Sequence, residues 1–137
     1  MAVLAAISSL QAGHHSNEAM IAQIKSTDQW SHYQAKAIKY EIIENMLLNK
    51  PADSAKLKAK LEQYKSDQAD ISKEATELEK ESAKDLDGYK ILAEAVTFFQ
   101  IAIAISAISM LTRKKFLWYI ALLLMLVGAF HFIMGNI

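Results

Sequence analysis

The sequence predicts an all-α membrane protein in which a long antiparallel helical hairpin, coiled-coil-like in its spacing, is inserted between membrane helices. A second hairpin, made of two transmembrane helices, follows at the C-terminal end. Three observations lead to this prediction. They are two long apolar runs after residue 91, one strong helix breaker in the middle of the chain, and two polar arms of equal length on either side of that breaker.

The apolar runs cover residues 92–111 and 116–134, and the basic turn 112–115 separates them. Each run has about the 20 residues that a helix needs to cross the hydrocarbon core of a bilayer. Backbone groups in lipid must bond internally, so both runs are expected to be helices, and the short turn makes them antiparallel. The cations of the turn and the adjacent aromatic pair are typical of a membrane–water interface: Arg113, Lys114, Lys115, Trp118 and Tyr119.

The breaker is Pro51, in a turn predicted at residues 49–53 of an extramembrane hairpin that spans residues 13–91. The residue before a proline is disfavoured in the α region, so the first arm should end near Asn49. At 1.5 Å per residue, both arms are roughly 57 to 60 Å long. Equal arms return the chain to the membrane plane that it left.

Residues 1–12 are apolar, but no cationic region precedes them, as it would in a signal peptide. About 12 helical residues rise only roughly 18 Å, which is too short for a complete span. We therefore interpret them as the C-terminal part of a first transmembrane helix. An interfacial helix end is the alternative.

The second arm carries one seam whose spacings alternate between three and four residues, the pattern of a helix with one partner. Its members are Leu57, Leu61, Tyr64, Gln68, Ile71, Ala75, Leu78, Ser82, Asp85, Tyr89 and Leu92. Pairing around the turn places three first-arm residues opposite members of this seam: Ile42 with Leu61, Ala35 with Gln68, and His14 with Tyr89.

The first arm carries two such stripes. One contains Ile21, Ile24, Asp28, Ser31, Ala35, Ile38, Ile42 and Asn45, and the other, rotated by about 100°, contains Trp30, Tyr33, Ala37, Tyr40, Glu44 and Leu47. We expect the isoleucine stripe to face the second arm, which leaves the aromatic stripe as a subunit interface, where aromatic residues are enriched. The alternative is that the aromatic stripe is the core of the hairpin.

Three stretches resemble the bacterial membrane proteins grouped as the domain of unknown function DUF4337. They are residues 13–19, with Gly-His-His-Ser-Asn-Glu-Ala, residues 27–36, with Asp-Gln-Trp and Tyr-Gln-Ala-Lys, and residues 92–104, with Glu-Ala-Val-Thr-Phe-Phe-Gln. The resemblance covers nearly the whole chain. It implies a polar N-terminal segment and a complete first membrane helix upstream, and it implies no catalytic residues.

Glu94 and Gln100 are polar residues inside, or at the edge of, an apolar helix, where such groups are candidates for function. Hairpin pairing places Glu94 near Ser9, at the interface. The structural alternatives are an interfacial carboxyl group for Glu94 and a helix–helix hydrogen bond for Gln100.

His14, His15 and Glu18 cluster where the chain leaves the membrane, and His14 and Glu18 share a helical face. They are metal-ligand candidates, but a structural site needs four ligands, so contacts with headgroups or with Tyr89 are the alternative. His32 and His131 have no partner visible in the sequence, and we predict no cofactor.

A formal net charge of +0 provides no basic surface for nucleic acid. The chain has no cysteine and no arrangement typical of a catalytic site, so we expect a protein that is not an enzyme. Its expected partners are the lipid bilayer and either further copies of itself or a larger membrane complex. The positive-inside rule places Arg113 in the cytoplasm and the hairpin in the periplasm of a bacterial inner membrane. A structural or scaffolding role is expected, with oligomeric transport or ion or metal handling as the alternative.

Overall fold

The computed structural model of the protein describes residues 1–49 and 54–136. Three helices account for almost all of these residues: α1, Ala2–Asn49; α2, Ser54–Thr112; and α3, Lys115–Met134. The prediction of an all-α chain is confirmed for the described residues, which contain no strand. Two of the helices, α2 and α3, are long and apolar enough to cross a membrane. Of the predicted turn at residues 49–53, positions 50–53 with Pro51 lie outside the described residues.

The chain divides into two compact units. The three-helix unit comprises Met1–Ala19 and Ala83–Ile137, and the two-helix unit comprises Met20–Ser82. The first part of α1, the second part of α2 and all of α3 therefore form one unit. The remaining parts of α1 and α2 form the other.

The three-helix unit has a core of small residues around two large ones. Phe99 and Leu92 are fully buried, and the other buried side chains are Ser8, Ala12, Ala19, Ala95, Ala102, Ser109 and Ala121. A Cβ added to Gly128 would lie 3.0 Å from the Phe99 ring, and one added to Gly135 would lie 2.8 Å from Leu92 Cγ. Both glycines therefore let large α2 side chains approach the backbone at the C-terminal half of α3.

The connection between α2 and α3 is a tight turn at Arg113. Arg113 has a φ of 54°, in the left-handed region that glycine adopts more readily. The Ser109 hydroxyl donates to the Lys114 carbonyl at 3.2 Å, and the Leu117 amide donates to the same carbonyl at 3.2 Å. These two bonds hold the basic turn against the ends of both helices.

Within the two-helix unit, α1 and α2 run antiparallel. The buried Ser26 hydroxyl donates to the Ala75 carbonyl at 3.2 Å, and further along α1 the Lys36 ammonium pairs with Asp67. Lys36 and Asp67 are the chain neighbours of Ala35 and Gln68, which the sequence places opposite each other. At Lys36 and Asp67 the observed register of the two arms is within about one residue of the expected one, and at Ser26 and Ala75 it is about two residues away.

The α2 side of this unit follows the seam read from the sequence. Every α2 seam position in the unit is buried or half-buried. These positions are Leu57, Leu61, Tyr64, Gln68, Ile71, Ala75, Leu78 and Ser82. In the three-helix unit Asp85 and Leu92 follow the same rule, whereas Tyr89 is exposed.

The α1 side of the unit corrects the expectation. The isoleucine stripe does not face the second arm, because Ile21, Ile24, Ile38 and Ile42 are all exposed. The half-buried positions are instead Trp30, Tyr33, Ala37, Tyr40, Ile43 and Leu47, and they continue the buried Ala22 and Ser26. Small residues let the two backbones come close, and tyrosine and tryptophan bury their rings while their polar tips reach water. Burial therefore distinguishes the two stripes in the sense opposite to the expectation: the aromatic stripe packs within the hairpin, and the isoleucine stripe is exposed.

Candidate functional site

The three-helix unit brings an acid and a histidine together between its two apolar helices. Glu94 Oε2 of α2 lies 3.4 Å from His131 Nε2 of α3. The His131 ring also lies 5.3 Å from the Phe98 ring, centroid to centroid. His131, for which no partner is visible in the sequence, thus contacts Glu94.

A backbone contact orients the His131 ring. His131 Nδ1 lies 3.0 Å from the Val127 carbonyl oxygen, which can only accept, so Nδ1 is the donor in this contact. The other ring nitrogen, Nε2, therefore points towards the Glu94 carboxyl group.

The pair lines an open groove of about 470 Å³, together with Ala93, Thr97 and Phe98. The Thr97 hydroxyl donates to the Ala93 carbonyl at 2.9 Å, which leaves its oxygen lone pairs towards the groove's polar side. Glu94 is the most exposed of the charged groups here, with 63% of its side chain accessible. The arrangement can hold a proton or a small cation with few ligands.

A simple count in the sequence points to this pair. Glu94 lies nineteen residues before Arg113, and His131 lies eighteen residues after it. Because the turn at Arg113 is tight, antiparallel helices of equal rise bring such positions to the same level. The sequence analysis applied this count to the long hairpin but not to the C-terminal one.

The two histidines at the start of the chain are neighbours with different surroundings. Their ring centroids lie 6.0 Å apart. His15 Nδ1 lies 2.9 Å from Asp85 Oδ1, and its ring packs against Gly88, whereas His14 and Glu18 are exposed. Within residues 1–49 and 54–136, no three or more histidine, aspartate or glutamate side chains come together as metal ligands would.

A second polar link joins α1 to the end of α3. Gln11 Nε2 donates to Asn136 Oδ1 at 2.8 Å, and Asn136 Nδ2 donates back to Gln11 Oε1 at 3.2 Å. This reciprocal amide pair is a further cross-helix contact that the sequence analysis missed. Gln100, expected to bond to another helix, is exposed on α2.

The aromatic stripe of the two-helix unit makes contacts within its own hairpin. Trp30 Nε1 donates to Glu79 Oε1 of α2 at 2.8 Å, and the Trp30 and Tyr33 rings meet edge to face at 5.6 Å. One turn further, the Lys36 ammonium lies 5.0 Å from the centroid of the Tyr64 ring. The sequence predicts an interface through Trp30, Tyr33, Ala37, Tyr40 and Leu47 because the isoleucine stripe is expected to pack against α2 and to leave this stripe without a partner. The contacts of Trp30, Tyr33 and Lys36 show that the aromatic stripe packs against α2 itself.

The surplus apolar surface lies elsewhere on α1. We use the name isoleucine row for Ile21, Ile24, Ile38 and Ile42, which are between 46% and 59% exposed. Ala35, Ser31 and Asp28 lie between them on the same face and are also exposed. Monomeric proteins rarely expose contiguous apolar patches without a binding role.

The comparison with known families is decided by one match. The sequence model of the family described as Domain of unknown function (DUF4337) matches residues 1–137. The chain belongs to the DUF4337 family. No curated protein and no solved structure matches the sequence. Membership of DUF4337 agrees with the resemblance of residues 13–19, 27–36 and 92–104, and by its description it assigns no activity.

Proposed function

We propose that this DUF4337 protein is a non-enzymatic integral membrane protein with a structural or scaffolding role. It would act through its helical hairpin, by self-association or by binding a larger membrane complex. The observation that carries the proposal is the isoleucine row, an apolar face on an otherwise polar two-helix unit. A solvated hairpin has no need of such a face unless another surface covers it.

The proposal includes a membrane arrangement. The apolar part of α2 and all of α3 cross a bacterial inner membrane, and residues 1–12 are the end of a first membrane helix. The positive-inside rule places Arg113, Lys114 and Lys115 in the cytoplasm. The two-helix unit then projects into the periplasm.

The arrangement is tested by labelling. The chain has no cysteine, so Ser66→Cys provides a single reactive thiol at an exposed position of α2. A membrane-impermeant maleimide should label it in cells whose outer membrane has been permeabilised. Thr112→Cys, beside the basic turn, serves as the matched control and should react only after the inner membrane is opened. The reverse pattern would invert the topology.

The scaffolding role is tested by native mass. We expect the full chain, purified in a mild detergent or in nanodiscs, to have the mass of two or more copies. A lone monomer in nanodiscs and in cross-linked cell membranes would exclude self-association. A stoichiometric complex with other membrane subunits would support the accessory form of the proposal.

The Glu94–His131 pair favours a second candidate function, oligomeric transport or handling of protons, ions or a metal. Ionisable groups in apolar helices are functional candidates, and here two of them contact each other across α2 and α3. In this role Gln100, His14 and His15 would supply further polar groups. Proteoliposomes containing a pH-sensitive dye should then dissipate a proton gradient. Glu94→Gln should stop that dissipation, and Lys90→Gln, one turn away, should not.

Metal handling has its own test. Stoichiometric zinc or a similar ion in the purified protein, lost in the His15→Ala or His131→Ala variant, would favour this second function over the first. Intact proton gradients together with a metal-free protein would count against it.

A further inference from the structure

The isoleucine row has the geometry of a helix seam without a helix on it. Ile24 is 57% exposed and Ile38 is 59% exposed, and Ile21 and Ile42 extend the same face by one turn at each end. The spacings between successive members of the row are three, fourteen and four residues, which keeps all four isoleucines on one helix face with a heptad period. A partner must therefore offer a straight apolar stripe of the same length and period.

The exposed area is in the range that association requires. About half of the surface of each of the four isoleucines is exposed, and so is 53% of the neighbouring Met46. The exposed surface of these five residues amounts to on the order of 500 Å². Two such faces would hide about 1,000 Å² from water, near the lower limit for a specific protein interface.

We propose that the occupant is a second copy of this chain, with α1 packed against α1 in parallel through the isoleucine row. This inference rests on the proposed scaffolding role and names its partner. Copies inserted in one membrane with the same topology must run α1 in the same direction. In a parallel pair each isoleucine meets its own counterpart, so the length and period of the two stripes match.

The shared membrane topology, and not the charges beside the row, sets the parallel arrangement. In a parallel pair every charged residue lies level with its own counterpart, and like charges opposed across a helix seam oppose association. The row's own acid, Asp28, would therefore meet its counterpart, which weakens the pair and gives the experiment a variant of opposite sign.

Single-cysteine cross-linking tests the pairing directly. The chain has no native cysteine. Ile24→Cys in the full-length protein should form a symmetric disulfide in membranes under mild oxidation, whereas Glu74→Cys, exposed on α2, should not. Absence of the Ile24→Cys dimer in membranes that contain the assembled protein would overturn the proposal. A cross-link that forms only when Ile24→Cys is mixed with Ile38→Cys would overturn the parallel orientation.

Measurements of self-association provide a second test of the pairing. The double variant Ile24→Ser/Ile38→Ser should weaken self-association at least tenfold in sedimentation equilibrium, with helix content unchanged by circular dichroism. The double variant Leu48→Ser/Leu86→Ser removes two exposed leucines outside the row and should associate as the wild type does. Asp28→Ala should strengthen association.

The outcomes separate the inference from the function on which it rests. An assembly that survives Ile24→Ser/Ile38→Ser leaves the scaffolding role intact and overturns the isoleucine row as its interface. A wild-type chain that is monomeric in membranes overturns the inference and excludes the self-associating form of the scaffolding role. If the double serine variant fails to fold, the Ile24→Cys cross-link decides.

Discussion

The Ser26 hydroxyl donates a hydrogen bond to the Ala75 carbonyl across the two-helix unit, and Ser26 is completely buried. The contact joins a side chain of α1 to the backbone of α2 without any intervening side chain. This close approach places Ser26, and not the neighbouring Ile21 and Ile24, on the face of α1 that packs against α2. It also provides a sensitive test of the packing.

Enlarging Ser26 should separate the two helices. Ser26→Leu places a large side chain where the structure has no room, and such overpacking costs roughly 1 to 3 kcal/mol of unfolding free energy. Thr27→Leu is the matched control, because Thr27 is the next residue and is exposed. Thermal unfolding followed by circular dichroism should show a lower Tm for Ser26→Leu alone. Equal Tm values for the two variants would place Ser26 outside the packed face.

Lys36 and Asp67 should be exchangeable as a pair. Both side chains are about one-third exposed, and the Lys36 ammonium also lies over the Tyr64 ring. Lys36→Asp and Asp67→Lys alone should each destabilise the unit, and the double exchange should recover part of the loss, with a coupling of roughly 0.5 to 1 kcal/mol. A double-mutant cycle in low salt measures this coupling. Strictly additive effects would show that the two charges do not interact.

Two helical glycines should respond in opposite directions to the same substitution. A Cβ at Gly13 would meet no atom within 4 Å, whereas one at Gly128 would lie 3.0 Å from the Phe99 ring. Gly13→Ala should stabilise the three-helix unit by about 0.8 kcal/mol through helix propensity. Gly128→Ala should gain the same helix propensity, but its methyl group must displace the Phe99 ring, and this cost should cancel the stabilisation. Stabilisation of similar size at both positions would contradict the close contact of α2 with α3.

The corrected face of α1 predicts a new cross-link. Ile43 and Leu61 are both half-buried, and Lys36 and Asp67 fix the register two turns away. Ile43→Cys with Leu61→Cys should form an intramolecular disulfide. Ile42→Cys with Leu61→Cys should form it less readily, because Ile42 is exposed. Preference for the Ile42 pair would restore the isoleucine stripe to the inside of the hairpin.

Whether the buried face of a helix could be predicted from the sequence depends on how many apolar stripes the helix has. In its long polar part, α2 has a single stripe, so its buried face could be predicted position by position from Leu57 to Ser82. The α1 helix has two stripes with the same period, and hydrophobicity favours the one with more isoleucine. In the structure the other stripe faces α2: it continues the face of the buried Ala22 and Ser26, and Trp30 also donates a hydrogen bond to Glu79 of α2.

The candidate site was predictable in part for a different reason. Glu94 stands out as a charged residue in an apolar run, and the sequence alone identifies it. To identify its partner His131, one must know how tight the turn at Arg113 is. That tightness depends on backbone geometry and not on residue type. The Gln11–Asn136 pair depends on where α1 packs in the three-helix unit, and no local pattern specifies that.

The conformation of Arg113 has a consequence for biogenesis. A non-glycine residue in the left-handed region raises the folded state's free energy by on the order of 1 kcal/mol, and glycine would relieve that strain. In the proposed membrane arrangement, the same arginine is one of three adjacent cations whose charge favours one orientation of insertion. Arg113→Gly should therefore produce a more heat-resistant turn in molecules that insert correctly, and a larger share of molecules that insert upside down. At this residue, glycine would favour thermal stability, whereas arginine favours correct insertion.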